Sequence, residues 1–196
     1  MSVRPVIAID CDDVLIRSTP LIVEMYNQRF GTTIKLEDAH VSGTDQWGTA
    51  EPAVVVGRMT EIQSSDEYTA RAVPDADTLR ILHSLALQYE LHLVTARPPE
   101  LELTTVTFLN EHFKDVFTSL DHVGHEGSKG EVCARIGASV LIDDNIRHLE
   151  NARQHGVEHL ILFGNFPWQS GDAPESIERC KDWTEVEQYF GRTIQK

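Results

Sequence analysis

The sequence is poor in cysteine and contains no long hydrophobic run. Its three cysteines, Cys11, Cys133 and Cys180, are scattered, and none of them forms a Cys-x-x-Cys pair. This spacing argues against a disulfide framework and against a zinc cage, so we expect reduced thiols that pack as small hydrophobic side chains. No stretch approaches the roughly 18 uninterrupted apolar residues of a membrane span, so no membrane partner is expected.

Positive charge is also in short supply. The 196 residues include 17 Lys and Arg against 31 Asp and Glu, which gives a formal net charge of −14. Binding to a nucleic-acid phosphate backbone requires a basic stripe on the protein surface, so this charge balance argues against a nucleic-acid polymer as a partner. The hydrophobic fraction of 41% is typical of a globular protein, and the length allows one full-size domain, with or without a modest insertion.

The chain has no internal repeat of solenoid length and no low-complexity tract, which argues against a repeat architecture. The first strand-like run begins at Val6. The segment before it leaves no room for a signal peptide, so we expect none and take a cytoplasmic location as the default.

Short, continuous apolar runs predict strands that are buried on both faces. They span residues 6–9, 91–94, 140–142 and 159–163, with 116–120 as a weaker candidate. Patterns typical of helices lie between them, at residues 76–89, 99–113, 129–136 and 146–155. Because strand and helix alternate, we predict an α/β fold with a Rossmann-like parallel sheet flanked by helices.

Residues 17–73 do not follow this alternation. A helix over residues 20–30, ended by Gly31, is followed by a polar stretch and by a second helix over residues 51–63. We interpret this segment as a mostly helical insertion after the first strand. The alternative is an ordinary crossover of the sheet, but a crossover needs only ~10–15 residues and short loops.

Four carboxylates follow two of the predicted strands. Asp10 and Asp12 lie at the end of the first strand, and Asp143 and Asp144 directly follow the strand at residues 140–142. Ligands bind at this edge in open parallel sheets, so the two acidic pairs converge if their strands are neighbours. Oxygen ligands in this number suit Mg²⁺. A lone Asp after a strand is usually a turn or cap residue, but two close pairs make turns alone a poor explanation.

Two further side chains belong to the same predicted edge. Thr95 directly follows the strand at residues 91–94 and offers a hydroxyl group there. Lys129 begins a helix 14 residues before Asp143 and brings an ammonium group toward the same edge. Each has an ordinary alternative when taken alone, because such a Thr is often a turn or cap residue and such a Lys is usually solvated.

Other side chains are candidates for substrate contact beyond the phosphate. Arg97 suits a second anionic group of the substrate, with a helix-capping or surface role as the alternative. Trp47 is a candidate for stacking on a base or gripping a leaving group. The predicted substrate-binding set is Trp47, Thr95, Ala96, Arg97 and Lys129.

These residues, taken in order, resemble the four motifs of the haloacid dehalogenase-like superfamily. The motifs read Asp10-Cys-Asp12-Asp-Val14, Val94-Thr95, Ser128-Lys129-Gly130 and Ile142-Asp143-Asp144. The stretches most similar to the 5′(3′)-deoxyribonucleotidase branch are Thr95-Ala-Arg-Pro98, Leu141-Ile-Asp-Asp-Asn145 and Leu162-Phe-Gly164. Asp12 favours a phosphatase, because dehalogenases of the superfamily lack a carboxylate at that position.

The resemblance implies a sheet with strand order 5-4-1-2-3, in which strands 1, 2 and 4 end side by side. It also implies that residues 17–73 form a small helical cap of the C1 type, while residues 1–16 and 74–196 form the core. Only 34 residues separate Thr95 from Lys129, which leaves little room for a cap in the alternative position.

The activity that the resemblance implies is Mg²⁺-dependent hydrolysis of a small phosphate monoester through an aspartyl-phosphate, with a nucleoside monophosphate as a candidate substrate. The implied roles are nucleophile (Asp10), general acid and base (Asp12), phosphate-binding groups (Thr95 and Lys129) and metal ligands (Asp10, the Asp12 carbonyl, Asp143 and Asp144). Four carboxylates, one lysine and Mg²⁺ carry a formal charge of −1, so the metal is needed before an anionic substrate approaches.

Two other functions stay open at this point. A sugar-phosphate mutase of the same superfamily keeps these motifs but returns the phosphate to the product. A non-catalytic module that binds a phosphorylated ligand or a protein keeps only the fold, although every motif position is filled here. A two-component receiver domain is set aside, because residues 51–57 offer no acceptor Asp after a strand. The oligomeric state is also open, a homodimer included.

Overall fold

The computed structural model describes residues 4–40, 45–49, 51–169, 171 and 173–193. The strands within these residues are β1 Val6–Ile9, β2 Glu90–Thr95, β3 Phe117–His122, β4 Ala138–Asp143, β5 His159–Phe163 and β6 Ile177–Cys180. The α-helices are α1 Ser18–Phe30, α2 Pro52–Gln63, α3 Asp66–Arg71, α4 Ala76–Ala86, α5 Glu102–His112, α6 Lys129–Ile136, α7 Ile146–Gln154 and α8 Trp183–Thr193. None of these helices is long and apolar enough to cross a bilayer.

The six strands form one parallel sheet in the order β3-β2-β1-β4-β5-β6. The predicted α/β class is confirmed, and the first five strands follow the predicted order. The sheet has one strand more than predicted, because β6 pairs with β5 at the edge. Its sequence carries no continuous apolar run, since Glu178 and Arg179 are exposed between buried Ile177 and Cys180.

The centre of the sheet is fully buried, which explains its continuous apolar runs. Ile7 and Ile9 of β1, Leu93 of β2 and Ile142 of β4 have no exposed surface. Such strands carry apolar residues on both faces because helices cover both faces of the sheet. Ile9 pairs with Leu93 on one side and with Ile142 on the other. The carboxyl ends of β1, β2 and β4 therefore lie side by side.

Helix ends follow the capping chemistry that the sequence indicates. Asp75 Oδ1 accepts a hydrogen bond from the Thr78 amide at 2.7 Å, at the start of α4. Gly31 and Gly137 end α1 and α6 with φ angles of 65° and 70°, which a residue without Cβ adopts easily. These positions match the predicted helix boundaries.

Two helices are shorter than predicted by three residues or more. α4 ends at Ala86 because the amides of Leu87 and Gln88 donate to carbonyls only three residues earlier, which tightens the last turn. Residues Pro99–Leu101 form a 3₁₀ turn, so α5 begins at Glu102 rather than at residue 99.

The segment after β1 contributes α1, α2 and the short helix α3. The sequence pattern did not indicate α3. Tyr26, Ile62 and Tyr68 from these three helices are at most 2% exposed and pack in the same hydrophobic cluster as β1. Ser65 caps α3, since its hydroxyl oxygen accepts from the Tyr68 amide at 3.3 Å. The division into a core and a cap stays a prediction, and residues 1–3 and 194–196 of that core lie outside the described residues.

The contact between α6 and α7 leaves no room for a side chain at Gly130. A Cβ there would lie 2.7 Å from the Asn151 carbonyl oxygen and closer still to His155 Nδ1. Asn151 Oδ1 also accepts from the Gly130 amide at 2.8 Å and from the Ser128 hydroxyl at 2.9 Å. We expect Gly130→Ala to lower the free energy of unfolding by about 1–3 kcal/mol, as measured by urea denaturation, because the helices must separate.

Gly57 provides the matched control. It lies within α2, and a Cβ there meets no heavy atom within 4 Å. Alanine has the higher helix propensity, so we expect Gly57→Ala to raise the free energy of unfolding by up to about 1 kcal/mol. Equal destabilisation by both substitutions would contradict the packing argument.

Candidate active site

Carboxylates from two neighbouring strands converge at the carboxyl edge of the sheet. Asp10 follows β1, Asp143 is the last residue of β4, and Asp144 follows it. One carboxylate oxygen of each lies within 4.8 Å of the other two, and the residues are 5%, 0% and 6% exposed. The structure therefore brings together three of the four residues predicted to bind metal.

Lys129 supplies a cation to this acidic cluster, as the spacing predicted. Its side chain is fully buried, and Nζ lies 2.8 Å from Asp10 Oδ1 and 2.6 Å from Asp143 Oδ2. Burial alone would lower the pKa of Lys129, but the adjacent charges of Asp10 and Asp143 raise it above its ordinary value. Lys129 is therefore charged at neutral pH and is not the solvated lysine of the alternative interpretation.

Burial and mutual repulsion raise the pKa values of two of these acids. Burial raises the pKa of Asp10 to about 7, against the attraction of Lys129 and with the repulsion of Asp143. Burial and the charges of Asp143 and Asp10 raise the pKa of Asp144 well above its ordinary value. Ionised together, Asp10, Asp143, Asp144 and Lys129 carry a formal charge of −2. An all-oxygen donor set with this charge fits a divalent, hard cation.

Neighbouring polar groups hold the acids of β4 in place. The Asn145 amide donates to Asp143 Oδ1 at 2.9 Å, and Trp168 Nε1 donates to Asp144 Oδ2 at 2.9 Å. Gln169 Nε2 donates to the Asp144 carbonyl oxygen at 2.7 Å. The roles of Trp168 and Gln169 were missed, because both lie in a loop after β5 where no sequence spacing links them to Asp144. Such supporting groups orient metal ligands in proteins.

A tight turn after β1 brings the next acids to the same edge. The Asp13 amide donates to the Ile16 carbonyl at 2.7 Å, and Asp13 has a φ of 60°, which Asp tolerates better than most residues. The Asp13 carboxylate accepts from the Thr19 amide at 3.1 Å and from the Thr19 hydroxyl, which holds the start of α1. Burial raises the pKa of Asp13 to about 7.

Asp12 is held by a buried guanidinium group. Arg97 Nε donates to Asp12 Oδ2 at 2.8 Å and Arg97 Nη2 donates to Asp12 Oδ1 at 2.7 Å. Burial favours the neutral acid, but the Arg97 charge and hydrogen bonds outweigh it, so the pKa of Asp12 lies below its ordinary value. The Asp12 side chain is 27% exposed while that of Arg97 is 2% exposed. Arg97 is thus buried, and its guanidinium group is hydrogen-bonded to the Asp12 carboxylate.

A cavity of about 310 Å³ opens over these residues. Its lining from the strand ends includes Asp10, Asp12, Thr95, Ala96, Arg97 and Asp144. The segment after β1 contributes Ser18, Thr19 and Ile22 from α1, His40, and Met59 and Gln63 from α2. The predicted strand-end residues therefore lie at one cavity, with Lys129 and Asp143 buried beneath it.

Trp47 lies away from this cavity. It is 4% exposed, its ring packs edge-on against Tyr26 at a centroid distance of 4.9 Å, and its carbonyl accepts from the Tyr26 hydroxyl at 2.9 Å. Trp47 is therefore part of the packing beneath α1, and the structure does not bring it to the other predicted substrate-binding residues.

One protein-family model matches nearly the whole chain. The family model described as 5′ nucleotidase, deoxy (pyrimidine), cytosolic type C protein (NT5C) matches residues 4–195. The chain belongs to the NT5C family. This NT5C-family chain is therefore a haloacid dehalogenase-like hydrolase of the phosphatase type, as the ordered motifs implied. A search of curated protein sequences returned no match.

Solved structures share the fold of this NT5C-family chain at low sequence identity. A haloacid dehalogenase-like hydrolase from Streptococcus pneumoniae is 16% identical with a TM-score of 0.65, covering 97% of this chain and 100% of that one. A HAD-hydrolase from Bacillus subtilis bound to magnesium is 10% identical with a TM-score of 0.63 and the same coverage. A Thermotoga maritima protein described as a β-phosphoglucomutase is 15% identical with a TM-score of 0.62, covering 96% and 99%. At these identities the likeness shows the fold alone.

Proposed function

We propose that this chain is a Mg²⁺-dependent phosphatase that hydrolyses a small phosphate monoester, with nucleoside monophosphates as the substrate class. The position of Asp10 carries the proposal. Its carboxylate lies at the cavity, beside the Lys129 ammonium and within reach of a cation shared with Asp143 and Asp144. The description of the matching family, a deoxy 5′ nucleotidase, supports the substrate class.

In the first step Asp10 is the nucleophile. One of its carboxylate oxygens forms a bond to phosphorus while the bond between phosphorus and the ester oxygen breaks. The departing oxygen takes a proton from Asp12, so the alcohol leaves neutral and the enzyme holds an aspartyl-phosphate. The Thr95 hydroxyl and the Lys129 ammonium bind phosphate oxygens in this step.

In the second step Asp12 acts as a base. It takes a proton from a water molecule whose oxygen attacks phosphorus, and the bond between phosphorus and Asp10 breaks. Asp10 leaves as a carboxylate, inorganic phosphate is released, and Asp12 again carries a proton. Asp10, Asp12 and Thr95 line the same cavity, and Lys129 is buried beneath it.

The proton for the first step arrives with the substrate. Arg97 keeps Asp12 ionised in the free protein, since it lowers the pKa of that carboxyl. A phosphate monoester has a second pKa near ~6, so part of the substrate is protonated at neutral pH. The remaining phosphate charge then favours the neutral form of Asp12, because like charges oppose ionisation.

Mg²⁺ would be held by the carboxylates of Asp10 and Asp143 and the carbonyl of Asp12, with Asp144 binding directly or through water. When bound, the ion neutralises charge on the transferring phosphoryl group. The magnesium-bound Bacillus subtilis relative, which shares the fold, supports the choice of metal.

The volume and the lining charges of the cavity favour a small monoester of a neutral alcohol as the substrate. Its volume of about 310 Å³ is at the lower end of the ~300–1,000 Å³ typical of small-molecule sites. Among its described lining residues Arg97 is the only Lys or Arg, and it is already paired with Asp12. A second charged phosphate would therefore lack a cation there. Because α1 and α2 also line the cavity, we propose residues 17–73 as the cap and the rest as the core.

A panel of phosphate esters, assayed with Mg²⁺ and again with a chelator, tests this function. We expect metal-dependent phosphate release from at least one nucleoside monophosphate, with little release from nucleoside di- and triphosphates. Product analysis with a hexose phosphate distinguishes the mutase, which would return an isomeric hexose phosphate instead of inorganic phosphate. No metal-dependent turnover on any ester would contradict the proposal and favour a binding module.

Mg²⁺ and protons should compete for the acidic cluster. The pKa of Asp10 is about 7 in the folded protein, against an ordinary value of 3.8. The metal-free folded state is therefore more stable at low pH, and it loses this stability as pH rises through about 7. Mg²⁺ binds only the ionised carboxylates. We therefore expect Mg²⁺ to raise the thermal unfolding midpoint more at about pH 8 than at about pH 6.

The Asp10→Asn variant is the control for this competition. It keeps Asp13, whose pKa is also raised to about 7, but removes the titrating metal ligand. The Mg²⁺-dependent shift of the midpoint should be smaller in this variant and vary less with pH. A Mg²⁺ effect that is equal at both pH values in the wild type would contradict metal binding by Asp10.

A further inference from the structure

Arg97 directs every nitrogen of its guanidinium group to an oxygen of the protein. Nε and one hydrogen of Nη2 bind the two oxygens of Asp12, at 2.8 and 2.7 Å. Nη2 also lies 3.4 Å from the Tyr68 hydroxyl, and Nη1 donates to Thr105 Oγ1 at 3.3 Å. The residue is 4% exposed. This engagement differs from that of an arginine held ready for a substrate anion.

We propose that Arg97 is a positioning residue that fixes the Asp12 carboxyl group toward the ester oxygen of the substrate, rather than a residue that binds the substrate. The inference rests on the proposed function, because it assigns Arg97 a role in the proton transfer of that reaction. Asp12 lines the cavity and keeps 27% of its side chain exposed, so its free lone pairs remain available there.

The planar fork of arginine suits this role. Two parallel hydrogen bonds to one carboxylate fix the rotation of the group as well as its distance, which a lysine ammonium does not do. Proton transfer requires heavy atoms within about 2.6–3.2 Å of one another, so a freely rotating Asp12 would spend less time in reach of the leaving oxygen.

The position of Arg97 is itself determined from three sides. Its amide donates to Thr95 Oγ1 at 3.2 Å, which ties it to the end of β2. Thr105 belongs to α5, and its hydroxyl donates to the Leu101 carbonyl at 2.8 Å. Tyr68 belongs to α3 and is 2% exposed. Arg97 therefore links the orientation of Asp12 to α3, a helix of the proposed cap, and to α5 of the proposed core.

Two aryl phosphates test the role of Arg97 through the leaving group. Phenolate has the basicity of tyrosine, pKa ~10, and needs a proton to leave, whereas 4-nitrophenolate leaves readily without one. For Arg97→Lys and Arg97→Met we expect kcat/KM with phenyl phosphate to fall about 100-fold and with 4-nitrophenyl phosphate less than about 5-fold. The ratio kcat/KM is used because it covers only the steps up to departure of the phenol.

Two controls keep the result specific to Asp12. In an Asp12→Ala background, Arg97→Lys should change kcat/KM for phenyl phosphate less than about 3-fold, because its effect acts through the missing carboxyl group. Arg58→Met removes another arginine that lies over an aromatic ring of α1, outside the cavity, and should leave the ratio between the two esters unchanged. Urea unfolding of each variant checks that the fold persists.

Inorganic phosphate as a competitive inhibitor distinguishes positioning from substrate binding. We expect its inhibition constant to change less than about 3-fold in Arg97→Lys, since a positioning residue makes no contact with phosphate. Equal losses on both esters, or a large rise of the inhibition constant, would overturn the inference while leaving the phosphatase function intact. A wild-type protein that hydrolyses neither ester with Mg²⁺ would contradict the proposed function itself, and the inference with it.

Discussion

Asp10→Asn should abolish phosphate release, with a loss in kcat of at least about 10⁴-fold. The amide has nearly the shape of the carboxylate but is not a nucleophile toward phosphorus, so no aspartyl-phosphate forms. The protein should stay folded, because the substitution removes one of three mutually repelling buried charges and keeps the contact volume. Steady-state phosphate release with Mg²⁺, together with urea unfolding, measures both effects.

Asp77 provides the matched control for this substitution. It lies in the first turn of α4, its side chain is 65% exposed, and its only described ion pair is with Arg80. Asp77→Asn should therefore change kcat less than about 2-fold and stability by less than about 0.5 kcal/mol. An Asp10→Asn protein with near wild-type turnover would exclude the aspartyl-phosphate mechanism, whichever ester is used.

The strand ends were predictable because their chemistry is local. A buried strand followed at once by acids can be identified from the run of apolar residues and the carboxylates after it, as at Ile142 and Asp143. The strand order that the family resemblance implied, and that the sheet has, places the ends of β1, β2 and β4 side by side, so Asp10, Thr95 and Asp143 lie at one edge. Lys129 joins them because one helix connects it to β4 over a short distance.

The partners of these residues were not predictable, because they depend on packing between distant segments. Arg97 pairs with Asp12 across 85 residues and meets Tyr68 on a helix whose sequence gave no periodic signal. Trp168 reaches Asp144 from a loop whose path is set by tertiary contacts. β6 was not predicted for a related reason, since an edge strand needs no continuous apolar run.

The structure also changes the charge balance of the site. Counted from the sequence, four carboxylates and one lysine left a deficit even with Mg²⁺ present. Arg97 neutralises Asp12, so the inner cluster of Asp10, Asp143, Asp144 and Lys129 has a formal charge of −2, which a single divalent cation balances. The remaining acids cover a surface that repels anions at long range, so we expect attraction of the substrate to act only within the site.

Lys129→Met should both lower the activity of the site and destabilise the fold. The fully buried ammonium contacts Asp10 at 2.8 Å and Asp143 at 2.6 Å, and its removal leaves buried carboxylates without a counter-charge. We expect a loss of about 3–5 kcal/mol in the free energy of unfolding without metal, the usual effect of removing one partner of a buried ion pair. We also expect kcat to fall about 10²–10³-fold, because a cation at the transferring phosphate is lost. Urea unfolding and phosphate release measure the two effects.

A double variant tests the charge balance at Lys129 more directly. Asp143→Asn added to Lys129→Met removes one of the repelling carboxylates, so it should restore part of the lost stability while activity stays low. Lys181→Met, at a side chain that is 64% exposed and paired with Glu185, should change stability by less than about 1 kcal/mol. Added Mg²⁺ should raise the unfolding midpoint of Lys129→Met more than that of the wild type, because the cation replaces the missing ammonium charge. A Lys129→Met protein as stable and active as the wild type, or a double variant less stable than the single one, would show that Lys129 does not balance these acids.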